Sequence, residues 1–281
     1  MRWLVFSHLF IALCAVSLTL ETIILSGINF SKGIPYLIVV FFATVITYNL
    51  KGIKKIYADV KELENEKESW SNTNVLTLKI LFIGSFVLGI ASLFFLQKNT
   101  IYALLPLGAL SIGYSWSLKY GGGIFSLRAV PFLKVLLVAI VWTLVVAVIP
   151  FVNAETSKSV SLELVISNFM FLFALAILFD IKDLRYDRLN NIMTTPLLIG
   201  VSGTKIISIA ILMGRVLFLY SMDIESSKLL IEVILGIVFT IIILKYVDTE
   251  TSEFFFMSYI DGMILFKSFL LIWYHIYFVM S

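Results

Sequence analysis

Nine long apolar stretches follow one another along this chain, separated by polar connections, and this pattern limits the folds that it can adopt. A helix crosses the hydrocarbon core of a bilayer with about 20 apolar residues. The stretches are continuously apolar rather than alternating, which excludes the strands of a membrane β-barrel. We therefore predict an all-α, multi-pass membrane protein with nine transmembrane helices in one domain, residues 1–281. The predicted spans are residues 3–28, 34–50, 75–96, 101–118, 130–152, 162–179, 196–220, 229–247 and 254–280.

The composition agrees with a chain that lies mostly in lipid. Hydrophobic residues make up 60% of the sequence and charged residues 14%, and the mean hydropathy is +1.02. A soluble protein of this size needs far more polar surface. The net charge of +3 is small and no basic patch with interleaved aromatic residues is present, so no nucleic acid partner is expected. The lone Cys14 excludes an internal disulfide.

Lysine and arginine residues are distributed unevenly between the two alternating sets of connections, twelve in one set and four in the other. Because cytoplasmic loops carry the excess of positive residues, the N-terminus is predicted to be cytoplasmic and the C-terminus to lie outside. The long connections 51–74, 119–129 and 180–195 fall on the cytoplasmic side, where we expect the active-site loops. The twelve are Arg2, Lys51, Lys54, Lys55, Lys61, Lys67, Lys119, Arg128, Lys182, Arg185, Arg188 and Lys245. The four are Lys32, Lys98, Lys158 and Lys228.

A row of three aspartates follows the sixth predicted span. Asp180, Asp183 and Asp187 are spaced by three and four residues, which places their carboxylates along one stripe of a helix. Like charges in this arrangement repel one another unless a cation or a basic group lies between them. Oxygen ligands suit a hard cation such as Mg²⁺, which binds carboxylates together with substrate phosphates. The row predicts a Mg²⁺ site at the membrane boundary, and the alternative is a solvated helix end with intrahelical Asp–Arg pairs.

Basic residues near this row are candidates for phosphate contacts. Lys182, Arg185 and Arg188 fall on the flanking faces of the same helix, where they could meet phosphate oxygens. Lys134 lies three residues after Pro131, about one turn inside the fifth predicted span. A buried lysine at this position favours contact with a phosphate over extension towards the interface.

A few other polar residues carry structural predictions. Glu21 and Arg215 lie at similar depth near the outer side and are expected to pair. Thr195 precedes Pro196, a combination typical of the N-cap and first turn of a helix, so a new helix should begin there. His8 is interpreted as an interfacial residue.

The aspartate row and the residues that follow it resemble a known motif. Asp180-x-x-Asp183-x-x-x-Asp187, followed by Thr194-Thr195-Pro196 and Gly200, is similar to the second aspartate-rich motif of UbiA-type intramembrane prenyltransferases. The resemblance spans most of the chain, and its specific residues concentrate in segments 114–134 and 180–200. Further matches to segments of the family are Asn49 at the end of the second span, Tyr114-Ser115 and Arg128-x-x-Pro131-x-x-Lys134.

The resemblance implies a nine-helix fold that transfers a prenyl group from a prenyl diphosphate to an aromatic or lipid acceptor, such as a quinone precursor, in the membrane. It implies Mg²⁺ as the cofactor, with Asp180, Asp183 and Asp187 as metal ligands and Asp183 and Asp187 as the catalytic residues. Prenyl diphosphate, the hydrophobic acceptor and membrane lipids are the expected partners. The residues expected to bind substrate are Asn49, Lys51, Lys54, Tyr114, Arg128 and Lys134.

The chain departs from the family at the first aspartate-rich motif, which reads Asn-Asp-x-x-Asp-x-x-x-Asp. Leu50, Ile53 and Tyr57 stand at its three carboxylate positions. Lys51 and Lys54 bring positive charge there and could hold a diphosphate directly. Two alternatives stay open. One is a catalytically impaired protein of the UbiA fold that binds or carries lipids, and the other is a secondary transporter, which should have broken helices and internal repeats.

Overall fold

The structure, a computed structural model, describes residues 1–57, 66–114, 118–120, 123–125, 133–154, 160–189 and 192–279. Almost all of the described chain is helical, as the apolar stretches predict. The helices are α1 (Arg2–Phe6), α2 (Leu9–Leu25), α3 (Phe30–Tyr57), α4 (Glu66–Thr73), α5 (Val75–Leu93), α6 (Lys98–Tyr114), α7 (Leu133–Ala154), α8 (Leu162–Lys182), α9 (Leu184–Leu189), α10 (Thr195–Ser221), α11 (Ser226–Tyr246) and α12 (Glu253–Val279). The short strands β1 (Leu118–Tyr120) and β2 (Gly123–Phe125) pair in an antiparallel hairpin, with Leu118 opposite Phe125.

Seven helices among the described residues are long and apolar enough to cross a membrane. They are Phe30–Leu50, Val75–Leu93, Leu133–Ala154, Leu162–Lys182, Thr195–Ser221, Ser226–Tyr246 and Glu253–Val279. Helices α2 and α6 have 17 residues each. The predicted fourth span ran to residue 118, but α6 ends at Tyr114 and Leu118 begins a strand. The helical, multi-pass architecture is confirmed, whereas the count of nine spans and the side of the N-terminus stay predictions.

Large apolar side chains are exposed along the spanning helices. On α5, for example, Ile80, Ile83 and Val87 are all exposed. Contiguous apolar surface of this kind marks a region that another apolar phase covers, and in a helix of this length that phase is lipid.

The first predicted span is not one continuous helix, because α1 ends at Phe6 and α2 begins only at Leu9. His8 between them has a φ of 64° and is buried within the protein, and its interpretation as an interfacial residue stays a prediction. Its Nδ1 lies 3.1 Å from Oδ1 of Asn49, whose Nδ2 donates to the carbonyl of Ser7 at 3.2 Å. These bonds satisfy polar groups at the break and hold a non-glycine residue in the left-handed region.

The chain forms two compact units. In the first unit, α3 packs against α2 and α5. In the second unit, α8 packs against α10 and the first part of α7, and α11 packs on α10. The first unit contains Met1–Leu105, Ile149–Ser157 and Ser252–Ile272, and the second contains Pro106–Val148, Lys158–Thr251 and Trp273–Ser281. The single domain stays a prediction.

Each unit contains a buried ion pair between two apolar helices. In the first, Glu21 of α2 accepts hydrogen bonds from Lys267 Nζ at 2.5 Å and from Ser268 Oγ at 2.8 Å. In the second, the two terminal nitrogens of Arg215 donate to the two carboxylate oxygens of Glu232 at 2.8 and 2.6 Å. The predicted pairing of Glu21 with Arg215 is therefore wrong, because similar depth does not tell which helices are neighbours. Charges in these helices need such partners.

Helix α10 is interrupted near its start at Gly200, which has φ 76° and ψ 168°. This backbone conformation is essentially restricted to glycine. Residues 195–199 therefore form a separate first turn, with Pro196 inside it as predicted. The N-cap is Thr194 rather than the predicted Thr195, which leaves the Thr195 side chain available for another contact.

Candidate active site

A lysine lies among the three aspartates of the predicted metal site. Lys134 lies in the first turn of α7 and Asp180 in the last turn of α8. Asp187 lies in α9, and Asp183 lies between α8 and α9. The Nζ of Lys134 is 2.7 Å from Asp180 Oδ1, 3.1 Å from Asp183 Oδ2 and 3.4 Å from Asp187 Oδ2. The three carboxylates therefore converge on one ammonium group, and we call these four residues the aspartate–lysine cluster.

The aspartate row stays on one face although α8 ends at its middle member. Asp183 caps the helix with φ −83° and ψ −1°, and its N–H donates to the carbonyl of Phe179 at 3.1 Å. The N–H of Asp187 in turn donates to the carbonyl of Asp183 at 2.9 Å. These bonds between residues four apart continue the helical path from α8 into α9. The spacings of three and four residues thus bring the carboxylates together as a helix would.

The interior of the cluster is acidic and nearly closed to solvent. The side chains of Asp180 and Asp187 are 2% and 0% exposed, whereas that of Asp183 is 21% exposed. The carbonyl end of α8 adds partial negative charge beside Asp180 and Asp183. Among the described residues, the ammonium groups of Lys134 and Lys182 oppose this charge, and the Nζ of Lys182 is 2.7 Å from Asp183 Oδ1. Asp183 is therefore the carboxylate that a ligand from solvent can reach most directly.

The first turn of α10 completes the surroundings of Asp180. Thr195 Oγ1 donates a long hydrogen bond of 3.5 Å to Asp180 Oδ2. The neighbouring Thr194 Oγ1 is buried and makes no hydrogen bond in the part of the chain that the structure describes. The contact of Thr195 with Asp180 was missed in the sequence because Thr195 was assigned as a helix cap.

The other basic residues of this segment lie on its exposed side. Arg185 forms an ion pair with Glu250 at 2.9 Å, and both side chains are exposed. Arg188 is also exposed. Screening by water and salt weakens pairs of this kind, so Arg185 adds little to the electrostatics of the cluster.

The oxygen atoms of the cluster fit Mg²⁺ in kind, because carboxylates and hydroxyls are ligands of hard cations. Within the described ranges, no three His, Cys, Asp or Glu residues are arranged so that they alone could hold a metal ion. The point that the three aspartates share is taken by the Lys134 ammonium. Asp180, Asp183 and Asp187 are the residues that could hold a divalent cation if that ammonium moved from among them, and their role as metal ligands stays a prediction.

Asn49, the remaining predicted substrate contact with a described side chain, belongs to the first unit. It lies in α3, is 1% exposed, and uses both ends of its amide for His8 and Ser7. The sequence did not reveal its partner His8, since the two residues are far apart along the chain.

The side chains of four other predicted substrate contacts lie outside the described residues. Lys51 and Lys54 belong to the last part of α3 and Tyr114 ends α6, but their side chains lie outside the described residues. Arg128 lies outside the described residues altogether.

A match to a family model covers the whole of this cluster. The model of the UbiA prenyltransferase family matches residues 72–261. No curated protein matches the sequence.

Several solved structures have a similar fold, and two of them are bound to GPP or DMAPP. A UbiA homologue from Archaeoglobus fulgidus bound to GPP and Mg²⁺ has a TM-score of 0.61 and 14% identity, over 96% of this chain and 97% of that chain. The same homologue bound to DMAPP and Mg²⁺ has a TM-score of 0.57 and 13% identity, over 96% of each chain. A digeranylgeranylglyceryl phosphate synthase has a TM-score of 0.56 and 15% identity, over 97% of this chain and 99% of that chain. At these identities the likeness establishes the fold.

Proposed function

This chain belongs to the UbiA prenyltransferase family, and we propose that it transfers a prenyl group from a prenyl diphosphate to a hydrophobic acceptor in the membrane. The acceptor class is an aromatic quinone precursor or a lipid. The observation that carries this proposal is the aspartate–lysine cluster, which gathers acidic groups suited to Mg²⁺ and a basic group suited to phosphate. The proposed enzyme has nine spans, a cytoplasmic N-terminus and active-site loops on the cytoplasmic side.

The cluster would act on the diphosphate end of the substrate. Asp180, Asp183 and Asp187 would hold Mg²⁺, which as a Lewis acid stabilises the negative charge of a departing diphosphate. Lys134 would donate hydrogen bonds to a phosphate oxygen, and Lys182 adds a second positive charge beside Asp183. The carbon–oxygen bond of the prenyl diphosphate breaks, and the diphosphate leaves with the electron pair. The acceptor then bonds to the allylic carbon and loses a proton.

The other proposed substrate contacts are Asn49, Lys51, Lys54, Tyr114 and Arg128. Among them, Lys51 and Lys54 would supply the positive charge next to positions where the family's first motif has carboxylates. The hydrogen bonds of Asn49 with His8 and Ser7 favour a supporting role for this amide, in which it fixes the start of α2 beside α3.

A catalytically impaired lipid-binding or carrier protein is the second candidate function. Its support is the absence of carboxylates at Leu50, Ile53 and Tyr57. Such a protein would bind a prenyl diphosphate without releasing diphosphate in the presence of an acceptor.

Direct binding of a long-chain prenyl diphosphate to the purified protein tests the proposal, with Mg²⁺ and with EDTA. The variant Asp183→Asn removes a charge at the most exposed carboxylate of the cluster. Its matched control is Asp223→Asn, an exposed aspartate in the connection between α10 and α11. We expect Mg²⁺-dependent binding that Asp183→Asn reduces at least ten-fold and Asp223→Asn leaves unchanged.

Release of inorganic diphosphate on addition of quinone precursors or lipid acceptors then separates an enzyme from a carrier. Binding that neither EDTA nor Asp183→Asn weakens would mean that the diphosphate binds to lysines outside the cluster. No binding in any condition would exclude the prenyltransferase function.

A further inference from the structure

We infer that Lys134 is an internal counter-ion that keeps divalent cations out of the aspartate–lysine cluster until a diphosphate draws its ammonium away. The inference rests on the proposed function, because it assigns an order of binding at the same site. Metal and diphosphate would enter together, and the metal alone would bind weakly.

The geometry of Lys134 is the first support. Its Nζ lies within 3.4 Å of an oxygen from each of the three aspartates, so the ammonium takes the position that a shared cation would need. A divalent ion placed there would repel the ammonium strongly, because both charges would lie in a nearly dry region. The two cations therefore compete for the same oxygens.

The charge balance of the cluster is the second support. Lys134 and Lys182 together offset two of the three aspartate charges, which reduces the attraction of the cluster for a cation. A carboxylate site whose charge is offset by lysines attracts less strongly a cation that gives up its water reluctantly. Asp180 and Asp187 are almost fully buried, so water does little to screen the effect of Lys134 on them.

The side chain of Lys134 can change partners without a change in the fold. Its four-carbon stem is flexible and ends in a point charge with three donors. A diphosphate next to Asp183 would offer several anionic oxygens to this ammonium, and the oxygens of the carboxylates that it leaves would become available to a metal ion. The diphosphate itself supplies further metal ligands.

Titration of the purified full-length protein with Mn²⁺ alone tests the inference, with free Mn²⁺ measured by electron paramagnetic resonance. The wild type is compared with Lys134→Met and with Lys205→Met, a lysine in α10 outside the cluster. We expect Lys134→Met to bind Mn²⁺ at least ten-fold more tightly than the wild type, and Lys205→Met to bind like the wild type. The conservative variant Lys134→Arg keeps the charge and should also bind like the wild type. An unchanged or weaker Mn²⁺ affinity in Lys134→Met would overturn the inference.

A measurement on the wild type covers the case in which Lys134→Met does not fold. Reductive methylation of lysines, read by mass spectrometry, reports whether the ammonium of Lys134 is held. We expect Mn²⁺ alone to leave the methylation of Lys134 unchanged and a non-reactive prenyl thiolodiphosphate with Mn²⁺ to change it. A change with Mn²⁺ alone would overturn the inference.

The Mn²⁺ titration contains no diphosphate, so its outcome is independent of the proposed function. Tighter Mn²⁺ binding by Lys134→Met without prenyl diphosphate binding in the wild type would support the counter-ion and overturn the prenyltransferase proposal. Prenyl diphosphate binding by the wild type without tighter Mn²⁺ binding by Lys134→Met would support the prenyltransferase proposal and overturn the counter-ion.

Discussion

At the scale of single residues, polar groups in this chain are satisfied by neighbours that are distant in sequence. The ammonium of Lys134 forms an ion pair with Asp180, which is 46 residues further along the chain. Asn49 in α3 forms a hydrogen bond with His8, which lies in the break between α1 and α2. Unpaired polar atoms in an apolar interior carry a cost in free energy, so each such pair stabilises the fold that forms it. A buried polar residue without a partner should therefore be a point of weakness.

Asn168 in α8 provides a test of this argument. It is 1% exposed, and neither its amide oxygen nor its amide nitrogen makes a hydrogen bond within the described chain. We expect Asn168→Leu to raise the free energy of unfolding by about 1–3 kcal/mol, because it removes two unsatisfied buried atoms. Thermal denaturation in detergent measures the change.

The matched control is Asn153→Leu in α7, which should lower the stability. Asn153 is also buried, but its amide binds the carbonyl of Lys32 at 2.9 Å and the hydroxyl of Thr100 at 3.3 Å. Equal loss of stability in both variants would mean that the Asn168 amide binds a water molecule or a ligand.

At the scale of elements, the interruptions of the helices place the residues of the candidate site. The carboxylate row continues on one face past the end of α8 at Asp183, because hydrogen bonds between residues four apart carry the helical path into α9. The break in α10 at Gly200 gives residues 195–199 a direction of their own. That separate turn brings Thr195 to Asp180. The break in α10 is thus part of the site rather than a defect of the helix.

Replacement of the glycine at the α10 break tests this view. Gly200→Ala should lower the free energy of unfolding by about 1–3 kcal/mol, since the backbone conformation there is essentially closed to residues with a side chain. It should also weaken prenyl diphosphate binding if the turn straightens and withdraws Thr195. Thermal denaturation and the binding assay measure the two effects.

Gly84→Ala in α5 is the matched control. An added Cβ at Gly84 meets no atom within 4 Å, and alanine favours a helix over glycine by roughly 0.5–1 kcal/mol. Gly84→Ala should therefore be neutral or stabilising. A Gly200→Ala variant as stable as Gly84→Ala would show that the break is not needed.

The sequence predicted the helices and the acidic row well, because both depend on local spacing. Apolar length located the spanning helices, and the spacings of Asp180, Asp183 and Asp187 located the cluster. Partners across helices were not predictable, since Glu21 and Arg215 are predicted to lie at similar depth but pair with Lys267 and Glu232. The left-handed conformation of His8 depends in the same way on a contact with another helix.

At the scale of the whole molecule, contacts within the second unit agree with the predicted alternation of the spans across the membrane. Arg185 and Glu250 belong to two connections that are both predicted to be cytoplasmic, and they form an ion pair. Lys228 is predicted to lie outside, and it is 3.5 Å from Glu163, which lies at the end of α8 opposite the predicted cytoplasmic connection 180–195. The pairing of residues assigned to the same side supports an alternation of spans in this part of the chain.

Labelling of single cysteines tests the orientation. In a Cys14→Ser background, Asp223→Cys lies in a connection predicted to be outside and Glu250→Cys in one predicted to be cytoplasmic. We expect a membrane-impermeant maleimide to label Asp223→Cys on intact cells and to label Glu250→Cys only after permeabilisation. Labelling in the opposite order would invert the topology and place the aspartate–lysine cluster on the outer side.

The contacts between α2 and α12 also determine whether α12 tolerates an insertion or a deletion. Lys267 and Ser268 reach the two oxygens of one carboxylate, that of Glu21, and Cys14 donates to the carbonyl of Asp261 at 3.3 Å. One residue inserted between Asp261 and Lys267 would rotate the rest of α12 by about 100° relative to α2. Both attachments cannot then form at once, so this stretch should accept substitutions more readily than insertions or deletions.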